Sequence, residues 1–379
     1  MFDFLNNWLN TGGFWVAIPL IIIGCAALIK GADFLVDGAS GLAKKYGVSD
    51  IVIGLTVVAF GTSMPEFVVN MVAVGQGSTE IAITNVLGSN IINIFVILGF
   101  TALIFPISSQ KSTRKFDIPF SLLAALLILL FAVYNSPSWL EIKHPFRMKV
   151  DNPSFSDLGS IQMGQGNGGF ISGVGGSILL IFFLIFLWHN FKGIGSAPQT
   201  ESNEDYKPMS AKRALALIVG GLIGLVVGGE VIVKSATSIA QSLGVSDAII
   251  GLTVVALGTS LPELATSCMA AFKKNCDIAL GNVIGSNIFN IFFILGTSAC
   301  VKALPGYKGL EADAMLAALA SVLVMLFVYT TKKHEIKRWH GAVLLLIYIA
   351  YLIWRIMGVE VTPFCWTELV NIVNCMHIH

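Results

Sequence analysis

Two glutamates stand in stretches apolar enough to cross a bilayer: Glu66 closes "GTSMPE" and Glu263 closes "GTSLPE". A charged side chain at mid-bilayer costs at least ~2.5–3.5 kcal/mol on insertion scales, so an intramembrane carboxylate marks a candidate functional site. Each glutamate follows a threonine, a serine and a proline: Thr62, Ser63 and Pro65, then Thr259, Ser260 and Pro262. Proline has no N–H and crowds the carbonyl four residues back, which frees backbone oxygens around Gly61 and Gly258. Irregular backbone at membrane depth is tolerated only where it is buried in protein or lines a cavity. Hydroxyls, carbonyls and a carboxylate within one turn would make an oxygen-rich wall.

The second wall is written into the same chain. Shifted by 197 residues, "GVSDIVIGLTVVAFGTSMPE" (47–66) lies over "GVSDAIIGLTVVALGTSLPE" (244–263), matching at 16 of 20 positions. "IAITNVLGSNIINIFVILG" (81–99) lies over "IALGNVIGSNIFNIFFILG" (278–296), matching at 14 of 19. Lipid-facing helices share Leu, Ile and Val by composition alone, but shared Asn, Ser, Thr, Pro and Glu require duplication. The second blocks contribute Ser89, Asn93, Ser286 and Asn290, and a serine and an asparagine four apart share a helical face. Gly88 and Gly285 would let these helices pack closely. The whole set is oxygen, without thiol or imidazole, which suits hard cations such as calcium, magnesium and sodium. Two adjacent anions repel, so one must be protonated or both must hold cations.

The elements that position these residues follow from composition. Of 379 residues 55% are apolar and 12% charged, and mean hydropathy is +0.80; soluble domains carry about twice that charged fraction. The fold class expected is an all-α membrane protein with ten transmembrane helices in two inverted-topology repeats of five. Spans are expected near 14–32, 50–74, 80–105, 117–134, 170–190, 214–240, 247–271, 278–301, 313–330 and 340–357. Five spans separate each residue from its repeat mate, and five is odd, so the halves would cross in opposite senses, the plan of secondary transporters with midplane sites. Residues 1–191 would form the first repeat, with an external insertion at about 135–169. A polar cytoplasmic linker would occupy 192–211, and 212–379 would form the second repeat with an external tail. With the N-terminus outside, fifteen loop Lys and Arg fall inside and six outside, so both termini should face outward. The N-terminus lacks the basic region of a cleaved signal.

At this point the residues carry a resemblance. "GLTVVAFGTSMPE", "GLTVVALGTSLPE" and the two "GSNIxNI" segments look like the alpha-repeats of the calcium/cation antiporter superfamily, closest to its sodium/calcium exchanger branch. The resemblance covers both repeats and the ten-span layout. It implies antiport of sodium against calcium, with four cation sites between the second, third, seventh and eighth spans; the expected location is the plasma membrane. Calcium would be held by Glu66 and Glu263 with the carbonyls of Thr62 and Thr259. Sodium would use Ser63, Ser260, Ser89, Ser286, the carbonyls of Ala59 and Ala256, and the same glutamates, with Asn93 and Asn290 lining the centre. Some members place an aspartate where this chain has Asn290, which weakens the case for potassium co-transport. Thr84 opposite Gly281, and Asn70 opposite Ser267, are further departures without a functional account.

No cofactor is implied; the partners are the transported sodium and calcium ions and the lipid bilayer. A net charge of +1 points to no nucleic acid. A monomer would suffice for transport. The chain is read as a transporter and not an enzyme: Ser63 and Ser260 have no nearby histidine in sequence, against an intramembrane hydrolase. The alternatives are a proton/calcium exchanger and, more remotely, a cation channel. Asn85, Asn282, Asn90 and Asn287 fall off the face of Ser89 and Asn93 and read as helix-packing hydrogen bonders. Asp50 and Asp247 read as helix caps or as groups on an ion approach path. Asp33 and Glu230, on long first and sixth spans that would slide as a gate, read as flanking such a path or as helix-end residues. "HEIKRWH" (334–340) reads as a basic loop, its histidines six apart and not four. Gly-rich "GQGNGGF" has no context for a phosphate loop, and the closing "CWTELVNIVNCMHIH" is amphipathic, with Cys365 and Cys375 able to pair if outside.

Overall fold

A 44-residue helix, α1 (Asp3–Tyr46), opens the chain in the computed structural model, which describes residues 3–134, 170–192, 209–243, 256–307 and 309–356. The 135–169 insertion, most of the linker, the 357–379 tail with its two cysteines, and Asp247 lie outside the described residues. The sequence expectation of 14–32 for the first span stops short because Asp33 and Asp37 break the apolar run. The structure carries the helix through them, since Lys273 Nζ meets Asp33 Oδ1 and Asp37 Oδ1, each at 2.6 Å. Asp33 is therefore far from a helix end, which corrects the helix-end reading. Glu230 is likewise interior, in α7 (Ala211–Ser242), where it pairs with Lys234 at 3.4 Å.

After α1 come α2 (Asp50–Thr62) and α3 (Met64–Gly75), an apolar pair bent by 45° at Ser63. The expected 50–74 span is thus one helix broken at its middle, where Pro65 lies in the first turn of α3 and cannot donate. Next are α4 (Thr79–Ile104), α5 (Thr113–Val133) and α6 (Gly173–Lys192). Past α7 lie α8 (Ala256–Thr259) and α9 (Leu261–Phe272), the described part of the expected 247–271 span. They are followed by α10 (Cys276–Val301), α11 (Leu310–Thr330) and α12 (Arg338–Ile356). Among the described residues seven helices are long and apolar enough to cross a membrane, or eight if the bent pair counts as one span. The fold is mostly helical.

Two short antiparallel strand pairs tie helix ends together. Strand β1 (Ile107–Ser108) pairs with Glu335–Ile336, and Phe170–Ile171 pairs with Leu304–Pro305. The "HEIKRWH" segment is therefore no simple loop, because its middle is a strand and Arg338 begins α12. Its His340 is buried and stacks on Phe327 at 4.1 Å.

Burial separates two kinds of helix. Helices α4 and α10 are almost wholly buried, whereas α1, α6 and α7 expose most of their length, with Trp15, Ile22, Ile223 and Trp188 turned outward. A span buried all round is the core of its bundle. Helices α1 and α7 pack along small residues seven apart, 24, 31 and 38 against 214, 221 and 228. A Cβ at Gly31 would come within 2.7 Å of Gly221 O, and one at Gly228 within 2.7 Å of Gly24 O. Backbones approach this closely only where side chains are absent.

Helix α10 meets α2 in the same way. A Cβ at Gly285 would sit 2.7 Å from Leu55 O, and one at Gly281 3.0 Å from Ile51 O. This accounts for the Gly281 and Thr84 difference: Gly281 lies in a tight crossing, while Thr84 is exposed and bonds to carbonyls of its own helix. Gly285 packs closely as expected. The mate of Leu55 is Leu252, outside the described residues, so the matching crossing at Gly88 is not described.

Candidate ion-binding site

The breaks between α2 and α3 and between α8 and α9 are geometrically alike. Ser63 has φ −86° and ψ 6°, and Ser260 has φ −90° and ψ 5°, both in the bridge region between helix and extended backbone. In each half the residue before the break is a threonine and the proline lies within the next helix's first turn. The duplicated hexapeptide thus folds twice into the same kink, and each kink aims its serine and glutamate inward.

The two kinks exchange hydrogen bonds. Ser63 Oγ donates to Glu263 Oε1 at 2.9 Å, and Ser260 Oγ donates to Glu66 Oε1 at 3.4 Å. Each carboxylate is therefore held by the serine of the other half, and both glutamates are only 1% exposed. Buried charges need such partners or a cation.

The helices around the kinks supply the rest. Asn282 Nδ2 donates to Glu263 O at 3.2 Å and to Ser267 Oγ at 2.9 Å. Its mate Asn85 donates to Glu66 O at 3.5 Å and to Asn70 Oδ1 at 2.7 Å. Asn70 and Ser267 thus fill one role, accepting from the asparagine that braces each glutamate's backbone. Thr62 Oγ1 donates to Asn282 Oδ1 at 3.1 Å, joining the halves once more. Asn90 and Asn287 bond across the α4–α10 crossing, so all four asparagines are helix-packing hydrogen bonders as the sequence indicates.

Of the twelve predicted site residues, Thr62, Ser63, Glu66, Ser89, Asn93, Ser260, Glu263, Ser286 and Asn290 are buried polar groups, and Ala59 is buried in α2. Thr259 is partly buried with a buried hydroxyl oxygen. Ala256 begins α8. Asn93 and Asn290 stand in widened π-helical turns, Asn93–Leu98 and Phe289–Leu295, a feature frequent at functional sites.

Several buried oxygens find no hydrogen-bond partner among the described residues, including Glu66 Oε2, Glu263 Oε2, Asn93 Oδ1, Asn290 Oδ1, Thr259 Oγ1 and Ser286 Oγ. Such atoms are rare and costly in folded proteins. Six of the nine such oxygens among the described residues belong to the predicted set, the others being the hydroxyls of Thr113, Ser235 and Thr266, and every one of the six can accept or coordinate. Among the described residues no three His, Cys, Asp or Glu side chains converge elsewhere as a metal cluster.

Asp50 is half-buried and opens α2, yet it is tied down by Asn275 Nδ2 at 2.6 Å. Sequence reasoning missed this contact, the clamp of Lys273 on α1, and the small-residue seam between α1 and α7. Only the seam had a readable signal, in the spacing of seven between its small residues.

Comparison with known proteins places the chain in a family. The family model for "Sodium/calcium exchanger protein" matches residues 16–192 and 213–357. The chain is 35% identical to the putative antiporter CaxA of Alkalimonas amylolytica, covering 89% of this chain and 97% of that one. It is 33% identical to the sodium/calcium exchanger MaX1 of Methanosarcina acetivorans, covering 88% and 97%. Its fold is similar to that of the sodium-calcium exchanger NCX_Mj soaked with sodium and strontium, with a TM-score of 0.71 at 31% identity, covering 89% of this chain and 98% of that one. With its multiple apolar helices and membrane-protein relatives, the chain is an integral, multi-pass membrane protein. It belongs to the sodium/calcium exchanger protein family.

Proposed function

We propose that this protein exchanges sodium for calcium across a membrane, probing one side at a time through a single oxygen cage near the midplane. The observation that carries the reading is the crossed pair Ser63–Glu263 and Ser260–Glu66, together with buried oxygens of the same predicted set that have no hydrogen-bond partner among the described residues. The ions are the substrates, and the names of the relatives, sodium/calcium exchanger and antiporter, support that choice. Thr62 and Thr259, through their carbonyls, and both glutamates would hold calcium. Ser63, Ser260, Ser89, Ser286 and the carbonyls of Ala59 and Ala256 would hold sodium with the same glutamates, and Asn93 and Asn290 would line the centre.

The cage serves both ions because filling it either way screens the two carboxylates. Left empty, two bare anions in a low dielectric resist closure, so transit without an ion is disfavoured and exchange becomes obligatory. One calcium cancels the carboxylate pair, and three sodium ions would exceed it by one charge, so such a cycle moves net charge and responds to voltage. We read the chain as ten helices in two inverted repeats of five, both termini outside, in the plasma membrane, with α1 and α7 sliding as the gate.

The test is calcium uptake into proteoliposomes driven by an outward sodium gradient, comparing the intact chain with Glu66→Gln and Glu263→Gln. Loss of uptake in both variants is the expected result; normal rates in both would refute the assignment. Uptake with sodium absent and a pH gradient present would favour proton exchange, and flux without any counter-ion a channel.

A further inference from the structure

We infer that Asn90 and Asn287 are positioning residues that set the polarity of the cage centre, an inference that rests on the ion-exchange reading above. The argument starts at two backbone carbonyls. Asn90 Nδ2 donates to Asn287 O at 3.1 Å, and Asn287 Nδ2 donates to Asn90 O at 3.3 Å. A carbonyl oxygen only accepts, so each amide must turn its NH₂ toward the crossing. Its own oxygen then points the other way.

That outward oxygen dictates the next amide. Asn290 Nδ2 donates to Asn90 Oδ1 at 3.0 Å, and Asn93 Nδ2 donates to Asn287 Oδ1 at 2.9 Å. An acceptor in that place obliges Asn290 and Asn93 to present NH₂ to the ring. Their Oδ1 atoms are left over, and both are buried without a partner among the described residues. Two main-chain carbonyls therefore decide, through two intermediate amides, that Asn93 and Asn290 offer the centre of the site their oxygens and not their NH₂ groups. An inward NH₂ would repel a cation.

The ring obeys the 197-residue exchange at every bond, so it fixes both halves equally. It also adds no charge: four carboxamides contribute neither a formal charge nor a titratable proton, leaving the glutamate pair as the site's charged groups. Neither Asn90 nor Asn287 turns a carboxamide oxygen into the centre, because each is spent on the neighbouring asparagine. This separates them from the proposed ligands Asn93 and Asn290.

The experiment is a double-mutant cycle on the purified full chain, read as the sodium midpoint for stabilisation of the melting temperature in detergent and as sodium-driven calcium uptake in proteoliposomes. Asn90→Leu keeps the approximate size and removes both hydrogen-bonding groups, letting Asn290 turn its NH₂ inward. Its sodium midpoint should rise about tenfold or more. In an Asn290→Ala background the same substitution should change the midpoint less than about twofold, because the group it positions is gone. The mirror cycle, Asn287→Leu with Asn93→Ala, should behave alike. Additive effects, or an unchanged midpoint, would overturn the inference. So would failure of both leucine variants to fold, which would assign the ring to structure alone. If the unaltered chain itself showed neither sodium-dependent melting nor uptake, the exchange reading would fall instead.

Discussion

Ser63 and Glu263 lie 200 positions apart in the chain and share a 2.9 Å hydrogen bond in the middle of the bundle. The serine comes from the kink of the first repeat and the carboxylate from the kink of the second. A site built this way would be complete only when both halves are folded together.

The crossed serines differ in bond length, and that predicts an asymmetry. Ser63→Ala should raise the half-saturating sodium concentration for calcium uptake by roughly three- to tenfold, and by more than Ser260→Ala, whose bond is 3.4 Å long. Equal effects in the uptake assay would show that both hydroxyls act as ion ligands alone and that their grip on the glutamates is immaterial.

Pro65 and Pro262 hold the helices broken. Pro65→Ala restores an N–H that can close on the carbonyl of Gly61 and straighten the bend of 45°. We expect uptake to fall about tenfold or more while the melting temperature holds or rises, since alanine is favoured in a helix interior. A melting curve beside the uptake assay separates the two effects.

The seam between α1 and α7 should tolerate no added side chain. Gly31→Val places a Cβ where 2.7 Å separates it from Gly221 O, and overpacking of this kind costs about 1–3 kcal/mol. Gly220→Ala meets nothing within 4 Å among the described residues and serves as the control. Thermal unfolding of the two proteins in one detergent should show a clear drop for the first and little change for the second.

Lys273 joins α9 to α1 through Asp33 and Asp37, and its repeat mate is the uncharged Gln76. Lys273→Met leaves both aspartates without this partner and should destabilise the chain by about 1 kcal/mol at low salt, less at high salt where exposed charges are screened. Melting at two ionic strengths measures it. A loss independent of salt would mean that the lysine acts through packing of its stem.

Much of the site was legible before any coordinates, because duplication of Thr, Ser, Pro and Glu cannot arise from the apolar bias of lipid-facing helices. The helical character and the kinks followed from hydropathy and proline chemistry. The length of α1 did not, since Asp33 and Asp37 look like a boundary until Lys273 is placed against them. The difference between Gly281 and Thr84 also stayed opaque, because it depends on which helix crosses at that point. The strand at Glu335–Ile336 was missed for a similar reason: two residues carry no periodicity, and only pairing with Ile107–Ser108 makes them a strand.

Taken alone, the sequence determined the chemical make-up of the candidate site: two carboxylates, hydroxyls, amides and two proline-marked breaks, all in apolar helices. These are local properties of side chains and of proline, and they are the same wherever the segments lie. Tertiary structure decided the pairing. Which serine holds which glutamate, and which way each carboxamide faces, depend on how α4 crosses α10 and how the two kinks oppose one another. A hydrogen bond needs its partners within about 3 Å, and spacing along a chain does not determine that distance between residues 200 positions apart.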